Sequence, residues 1–174
     1  MSAPTLALVT DAGALHAQRW AMALLDRGWQ VRLLTWGNLA NLPGIETIPV
    51  LDARPGAGRG PLAALTGYRH LRQFLEQADL VHVHSLPAGR WVTCLTGLPR
   101  LMITSWGTDA MPRQGAIAAA QKRWVTYGLR QAEAIGAYSQ FARTALIHHY
   151  RLPEARVHWT PLGVDLAQFD AARF

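Results

Sequence analysis

Short apolar runs alternate with longer amphipathic stretches along this chain. The run TLALVT is followed by an Asp-Ala-Gly turn, which is typical of a buried parallel strand. The next apolar residues recur at helical spacing, and Gly28 supplies a carboxyl-terminal cap. The alternation continues to the end of the chain. It predicts strands at 5–10, 30–35, 45–50, 79–85, 100–106, 133–139 and 156–161, and helices at 15–27, 62–77, 115–131 and 140–150.

Strands separated by helices indicate βαβ units with right-handed crossovers. The sequence therefore predicts an α/β protein with a Rossmann-like, doubly wound parallel sheet of about seven strands. Ligands of such sheets bind at the carboxyl ends of the strands. We expect that edge to carry residues 11–14, 36–38, 84–87, 106–109 and Ser139.

Composition fits one folded domain. Half of the 174 residues are hydrophobic, 16% are charged, and no apolar run reaches the roughly 18 residues of a membrane span. The opening MSAPTLALVTD reads as a first strand rather than a signal peptide. Cys94 is the only cysteine, so a cytoplasmic location is the default expectation.

Arginine dominates the positive charge. The net charge of +6 comes from sixteen Arg and one Lys against 11 acidic residues. Guanidinium groups suit phosphate, so sugar nucleotides, phospholipid surfaces and nucleic acid are the anionic partners to consider. No basic run is interleaved with aromatic residues, which disfavours nucleic acid. The alternative is that the arginines are simply scattered over the surface.

The turn after the first strand reads DAGALH. It lacks the G-x-G-x-x-G fingerprint of dinucleotide-binding folds, and the second strand runs into TWGN without an acidic residue, so an NAD-dependent oxidoreductase is disfavoured. Gly13 before a helix start can bring backbone N–H groups to a phosphate. A plain tight turn is equally consistent with these residues.

His82 and His84 lie two apart on one predicted strand and so share a face. A metal pair could use that spacing, but no third and fourth ligands are evident, which disfavours a zinc site. We expect His82 to be a hydrogen-bonded core residue. His84, at the strand end, is the better candidate for a ligand contact.

Two further strand ends carry polar groups. SWGTD (105–109) offers a hydroxyl and the Asp109 carboxylate at the edge of the sheet, or else Asp109 caps a short helix. Ser139 lies at the start of a predicted helix, and it is as consistent with a helix N-cap as with a ligand contact. A cap there would direct the positive end of the helix toward the same edge of the sheet. No serine-hydrolase elbow, Walker loop or paired-carboxylate motif is present.

The order of these pieces resembles the amino-terminal domain of glycosyltransferase family 4, retaining sugar transferases with the two-domain GT-B fold. The stretches that match are HAQRWAMALLDRGWQVRLLT, ADLVHVHS, ITSWGTDAM, AEAIGAYSQFARTALIHHYRLPEARVHWTPLGVD and the terminal LAQF. The resemblance implies that residues 1–160 are the acceptor-side, Rossmann-like half of the enzyme. It also implies that residues 161–174 begin the linker to a donor domain that is absent here, so that the isolated chain is inactive.

Roles follow from the resemblance at matching positions. Gly13, Ala14 and His16 would face the donor phosphate, while the acceptor side would be formed by His84, Trp106, Gly107, Asp109, Ser139 and Arg143. No catalytic residue is assigned. Trp106 stands where many relatives have histidine, which argues against a histidine-assisted step, but in this family the departing phosphate is usually described as taking the acceptor's proton.

The resemblance also sets the expected partners. The donor is a nucleotide sugar used as substrate, the acceptor is a sugar or a lipid-linked hydroxyl, the reaction is of the hexosyltransferase type, and neither metal nor cofactor is expected. The basic loop DARPGAGRGP (52–61) could lie against the inner face of an anionic membrane. Two alternatives stay open: a non-catalytic binding module or subunit that needs a separate donor-side chain, and half of a GT-B sugar-nucleotide epimerase.

Overall fold

The computed structural model describes residues 2–35, 42–49, 61–86, 90–111, 116–161 and 163. The strands are β1 Thr5–Thr10, β2 Gln30–Thr35, β3 Glu46–Pro49, β4 Leu80–His84, β5 Leu101–Ser105, β6 Ala134–Ala137 and β7 Val157–Trp159. The α-helices are α1 Leu15–Leu25, α2 Pro61–Glu76, α3 Ala116–Gln131 and α4 Gln140–Tyr150. Three short 3-10 helices span Arg90–Leu95, Thr108–Ala110 and Glu154–Arg156.

The seven strands form one parallel sheet in the order β3-β2-β1-β4-β5-β6-β7. The chain builds outward from β1 in one direction and then, after β3, returns to the other side of β1 with β4. The predicted α/β, Rossmann-like, doubly wound sheet of seven strands is confirmed. This reversal between β1 and β4 is the point at which such sheets open a crevice.

Alternate residues of β1 enter two different cores. Leu6 and Leu8 pack with Ala21 of α1, while Ala7 and Val9 belong to the larger core that the other three α-helices cover. We call these the α1 face and the α2–α4 face of the sheet. Because both faces are buried, most residues of the central strands are apolar, as is usual in parallel sheets, while β4 and β5 also bury His82, His84, Thr104 and Ser105.

The sequence pattern did not predict the 3-10 helix Arg90–Leu95. It lies in the connection from β4 to β5, where Leu95 is fully buried. The segment is too short to show helical periodicity, and its position depends on a tertiary contact. Arg72 of α2 supplies this contact, since its guanidinium donates to the carbonyl oxygens of Cys94 and Thr96.

Some predicted features lie outside the described residues. These are the loop at 52–60, the strand end at 36–38, and the part of the proposed linker beyond Pro161 except Gly163. Within the described residues, no helix has the length and apolar character needed to cross a membrane.

Gly136 in β6 lies against two threonine side chains. A Cβ at this position would be 2.9 Å from Thr104 Oγ1 and 3.0 Å from Thr160 Oγ1. Threonine is branched at Cβ and stiff, so neither neighbour can move aside easily. We expect Gly136→Val to lower the free energy of unfolding by about 1–3 kcal/mol, measured by urea denaturation.

The matched control is Gly163→Ala, because a Cβ there meets no atom within 4 Å. That variant should stay within about 0.5 kcal/mol of the parent. Equal stability of the two variants would show that the packing around β6 is looser than these distances imply.

Candidate functional site

The carboxyl ends of β1 and β4 lie side by side at the reversal of strand order. Connections leave these strands toward opposite sides, so a crevice opens between the turn after β1 and the end of β4. The site is built from that turn, the start of α1, the end of β4, and the loops after β5 and β6.

Backbone hydrogen bonds hold the turn after β1. The Gly13 N–H donates to Asp11 Oδ1 at 2.9 Å, and the Ala14 N–H donates to the Asp11 carbonyl at 3.1 Å. The Ala12 N–H reaches across to Thr35 Oγ1 at 3.0 Å, which anchors the turn to β2. A Cβ on Gly13 would lie 3.3 Å from Asp11 Oδ1, so glycine allows the tightest version of this turn.

Helix α1 begins without a side-chain cap. Ala14 occupies the N-cap position and can offer none, and the first turn holds no acidic residue. The backbone N–H groups at a helix start carry partial positive charge, and here no side chain caps them. The start of α1 can therefore interact favourably with an anion in the crevice. The Gly13 and Ala14 N–H groups already donate to Asp11, so the phosphate interpretation of the Gly13 turn stays a prediction.

Six rings form a continuous cluster beside this helix start. The Trp106 ring centroid lies 3.4 Å from that of His16 and 4.3 Å from that of Tyr138. The Trp106 ring also meets the His84 ring edge-on at 5.1 Å. We call the set the ring cluster; its members are His16, Trp20, His82, His84, Trp106 and Tyr138.

The sequence predicted three members of this cluster as site residues and missed Trp20 and Tyr138. Trp20 is four residues after His16, so the two share one face of α1. Tyr138 follows β6 on the α1 face, in step with Gly136. The sequence spacing already placed Trp20 on the face of α1 that holds His16, and Tyr138 on the face of β6 that holds Gly136. Only the packing of α1 against β4 and β5 brings these rings into one cluster.

The two β4 histidines differ in their hydrogen bonding. Each is 1% exposed, and His82 Nε2 lies 2.7 Å from Thr104 Oγ1, which confirms His82 as a hydrogen-bonded core residue. His84 has no hydrogen-bond partner for either ring nitrogen among the described residues. An unpaired buried polar group costs about 1–3 kcal/mol, so His84 is destabilising where it stands. Its predicted ligand contact stays a prediction, and a ligand would have to pass His16 and Trp106.

Burial sets the charge state of the cluster. It lowers the pKa of His82 to about 4. Burial, helped by the neighbouring His82 and His16, lowers the pKa of His84 to about 2. Burial also lowers the pKa of His16, although the Asp11 carboxylate opposes this. Burial, and then the charge of Asp109, raise the pKa of Tyr138. The cluster is therefore neutral at pH 7.

Asp109 joins two loops of the site. Its Oδ2 accepts from the Leu86 N–H at 2.8 Å, and its Oδ1 accepts from Ser105 Oγ at 2.6 Å. Ser105 Oγ in turn accepts from the Gly107 N–H at 3.2 Å. Neither of these two hydrogen bonds goes to the short helix Thr108–Ala110, which the sequence offered as the helix that Asp109 caps. Gly107 has φ +100°, a conformation that favours glycine, so this loop has a specific backbone path.

Ser139 and Arg143 have structural partners. Ser139 Oγ accepts from the Ala142 N–H at 3.0 Å, which confirms it as the N-cap of α4. Arg143 donates to the Val157 carbonyl at 3.0 Å and forms an ion pair with Glu154 at 2.8 Å, so it fastens α4 to β7. These bonds do not bring Arg143 into the ring cluster, and the acceptor-side roles of both residues stay predictions.

No metal site emerges from the described part of the chain. There, no group of three or more His, Cys, Asp or Glu side chains is placed to hold a metal ion. The rings of His82 and His84 meet edge-on, at 4.4 Å between centroids and 81° between planes.

Because His82 and His84 are buried in their neutral form, we expect the stability of the fold to depend on pH. Their pKa values are about 4 and about 2 in the folded chain but near 6.5 when unfolded, so the unfolded state binds more protons below pH 6.5. The stability contribution is fully present above pH 6.5 and is lost as pH falls, down to about 4 for His82 and about 2 for His84. Between pH 7 and pH 5 each imidazole should remove about 2 kcal/mol from the free energy of unfolding, measured by urea denaturation.

The variant His84→Phe keeps a buried ring and should abolish about half of this pH dependence. Replacement of the exposed His148 by Gln is the matched control and should leave the pH dependence as it is. If His84→Phe and the parent lose stability in parallel, the imidazole is not buried in its neutral form.

Comparison with known proteins shows the family to which this chain belongs. A model of Glycosyltransferase Family 4 matches residues 13–168. Among curated proteins, none matches the chain. A glycosyltransferase from Rickettsia africae superposes with a TM-score of 0.69 at 17% identity, over 100% of this chain and 47% of that one. Anabaena HepE, solved in complex with UDP, superposes with a TM-score of 0.62 at 14% identity, over 95% of this chain and 46% of that one.

The two solved structures share the fold, and this chain spans less than half the length of either. The family model covers most of the chain and includes the Gly13 turn, the ring cluster and the Asp109 loop. The sequence resemblance is thus confirmed by independent comparison. The chain belongs to glycosyltransferase family 4.

Proposed function

We propose that this chain is the acceptor-side half of a retaining glycosyltransferase that moves a hexose from a nucleotide sugar to an acceptor hydroxyl. The observation that carries the proposal is the uncapped start of α1 at the crevice between β1 and β4. There the helix offers backbone N–H groups and positive potential where the departing diphosphate would lie.

In the proposed transfer, the bond between the sugar C1 and the diphosphate oxygen breaks as the acceptor oxygen bonds to C1 on the same face. The acceptor proton passes to the departing phosphate, so no side-chain base is required. Negative charge develops on that phosphate, and donors fixed at the start of α1 stabilise it without reorganising. Gly13 and Ala14 supply the close backbone approach.

His16 takes part through its position and its neutral charge. It lies in the first turn of α1, and Trp106 packs against its ring at 3.4 Å between centroids. A neutral imidazole can donate one hydrogen bond and accept another. We infer that Trp106 fixes the orientation of His16 toward the donor phosphate. Many relatives carry a histidine at position 106, where this chain has tryptophan.

The acceptor would lie against the other side of the ring cluster. Gly107 and Asp109 form the loop at that side, and Asp109 ties the loop to the end of β4 through Leu86. His84, Ser139 and Arg143 would support the acceptor surface from behind, since each is buried or already hydrogen-bonded. The HepE structure, solved in complex with UDP, supports a nucleotide-sugar donor.

The proposed partners follow from this division of labour. Residues beyond 160 would lead to a donor-binding half, and the transfer would need no metal ion, so that EDTA should not reduce it. The acceptor would be a sugar or a lipid-linked hydroxyl. If the protein is bound at the inner face of the membrane, it would lie close to a lipid-linked acceptor.

The test is a transfer assay with a panel of labelled nucleotide sugars, on this chain and on the longest polypeptide of which it is part. We expect Gly13→Val to reduce kcat/KM about tenfold or more, which corresponds to about 1.4 kcal/mol, because the branched side chain displaces the donor phosphate. Most of the loss should lie in KM for the donor.

Arg130→Gln is the control, because Arg130 is exposed at the end of α3. It should transfer sugar at the parental rate. The proposal fails if no nucleotide sugar is consumed by any form of the protein, or if Gly13→Val transfers sugar as well as the control. Binding of an acceptor without transfer would favour the binding module instead.

A further inference from the structure

Positive charge is concentrated on the part of the chain that forms α3 and α4. Residues 116–156 hold six cationic side chains and two carboxylates, so they carry four of the chain's six net positive charges. By contrast, residues 1–111 hold nine arginines against seven carboxylates. Neither α3 nor α4 contains an acidic residue. The charge is therefore not simply scattered over the surface.

The fold places these two helices side by side. α3 connects β5 to β6 and α4 connects β6 to β7, and the three strands are neighbours in the sheet. Both helices pack their apolar sides on the α2–α4 face, α3 through Val125 and Leu129 and α4 through Ala142 and Leu146. Their opposite sides therefore face outward together.

Three cations lie on this outward surface. Lys122, Arg123 and Arg151 are exposed and form no ion pair with any described residue. Burial, and then the charge of Lys122, lower the pKa of His149, so Lys122 lies close to the end of α4, where Arg151 follows. We call Lys122, Arg123 and Arg151 the basic face.

The other charged groups of this stretch leave the basic face unneutralised. Arg143 forms an ion pair with Glu154, and Arg156 donates to carbonyl oxygens at the end of α3. Arg130 lies in the last turn of α3, about 10 Å along the helix axis from the basic face. Glu133, the second carboxylate, comes after the end of α3. The basic face therefore keeps its charge for an anionic partner.

Exposed aromatic side chains accompany the cations. Phe141 in the first turn of α4 has 71% of its surface exposed, and Tyr127 on α3 has 38%. Phe141, Thr144, His148 and Arg151 are all exposed and follow one another at spacings of three or four residues, so they share the outer side of α4. Cations that meet lipid phosphates, beside rings that enter the acyl boundary, are typical of surfaces that lie on a bilayer.

We propose that the outer side of α3 and α4 docks the protein on an anionic phospholipid bilayer, with the basic face over the lipid phosphates and Phe141 at the acyl boundary. Guanidinium and ammonium groups bind phosphate, and each cation near an anionic bilayer adds to the attraction. Two neighbouring helices offer a broad surface, which suits the plane of a membrane. The inference goes beyond the proposed function, because docking requires neither donor nor transfer.

Docking on this surface would bring the crevice toward the bilayer. α4 begins after the carboxyl end of β6, and the loop there is part of the candidate site. Phe141 therefore lies at the same edge of the sheet as the crevice.

The experiment is co-sedimentation of the chain with large unilamellar vesicles. One set contains phosphatidylglycerol and phosphatidylcholine in a ratio of about one to two, and the other contains phosphatidylcholine alone. We expect binding to the anionic vesicles only. Binding should be lost at about 1 M salt, where the Debye length falls to about 3 Å.

Two variants separate the charge from the aromatic contact. Lys122→Gln combined with Arg123→Gln should lower the affinity for anionic vesicles about tenfold or more, because two cations are lost. Phe141→Ala should lower it about threefold and leave its salt dependence unchanged, since only apolar contact is removed. The matched control is Arg27→Gln combined with Arg69→Gln, which removes the same net charge at other exposed positions and should bind like the parent. Far-UV circular dichroism and the Tm confirm that each variant folds.

Four results would overturn the proposal. One is the absence of binding to anionic vesicles at low salt, and another is an equal loss of affinity in the matched control. A loss in Arg54→Gln combined with Arg59→Gln, but not in the α3 variant, would assign the contact to the loop at 52–61. Stronger binding to duplex DNA than to anionic vesicles, at equal phosphate concentration, would assign the basic face to nucleic acid. Each result is independent of the transfer assay, so failure of docking and failure of the proposed function are distinguishable.

Discussion

A parallel sheet must have both faces covered, and this requirement shapes the whole molecule. In this chain α1 covers one face beside β1, while the buried residues of α2, α3 and α4 join the core on the other face. The connections after β1 and β4 therefore leave toward opposite sides of the sheet. The crevice between them is a consequence of the topology, and whatever the protein binds there meets the start of α1 and the end of β4 together.

The crevice is lined by backbone N–H groups at the start of α1 and by the rings of the neighbouring ring cluster. The start of α1 offers N–H groups without a side-chain cap, while the ring cluster beside it is neutral because burial keeps its histidines unprotonated. Such a surface would attract an anion through fixed dipoles rather than through a mobile charge. Dipoles that are already oriented stabilise the charge that develops on a leaving group, which is the requirement of glycosyl transfer.

Most of the fold could be predicted because apolar periodicity is a local property. β1, β2 and α4 have the bounds that the pattern gave, and the other elements differ by one or two residues at their ends. The 3-10 helix at Arg90–Leu95 could not be predicted, since Arg72 holds it from another element. The site was harder for the same reason. Gly13 follows from its place after β1, and His16 was implied only by the family resemblance. The burial of His84 behind His16 and Trp106 arises from packing between distant parts of the chain.

The candidate site lies on one side of the sheet. The α2–α4 face is an apolar core, and arginines such as Arg72 and Arg143 stabilise its connections. The α1 face carries the ring cluster, and a groove of about 520 Å³ along α1 meets this cluster at His16 and Trp20.

Binding of the donor diphosphate at the start of α1 is the step on which the proposed transfer depends. The most direct measurement is an NMR titration of the isotope-labelled chain with UDP that follows the backbone amide of every residue. We expect the amides of Gly13, Ala14 and His16 to shift together and saturate, while those of α3 and β7 do not move. Shifts confined to other parts of the chain, with the amides of residues 13–16 unchanged at saturation, would contradict this assignment.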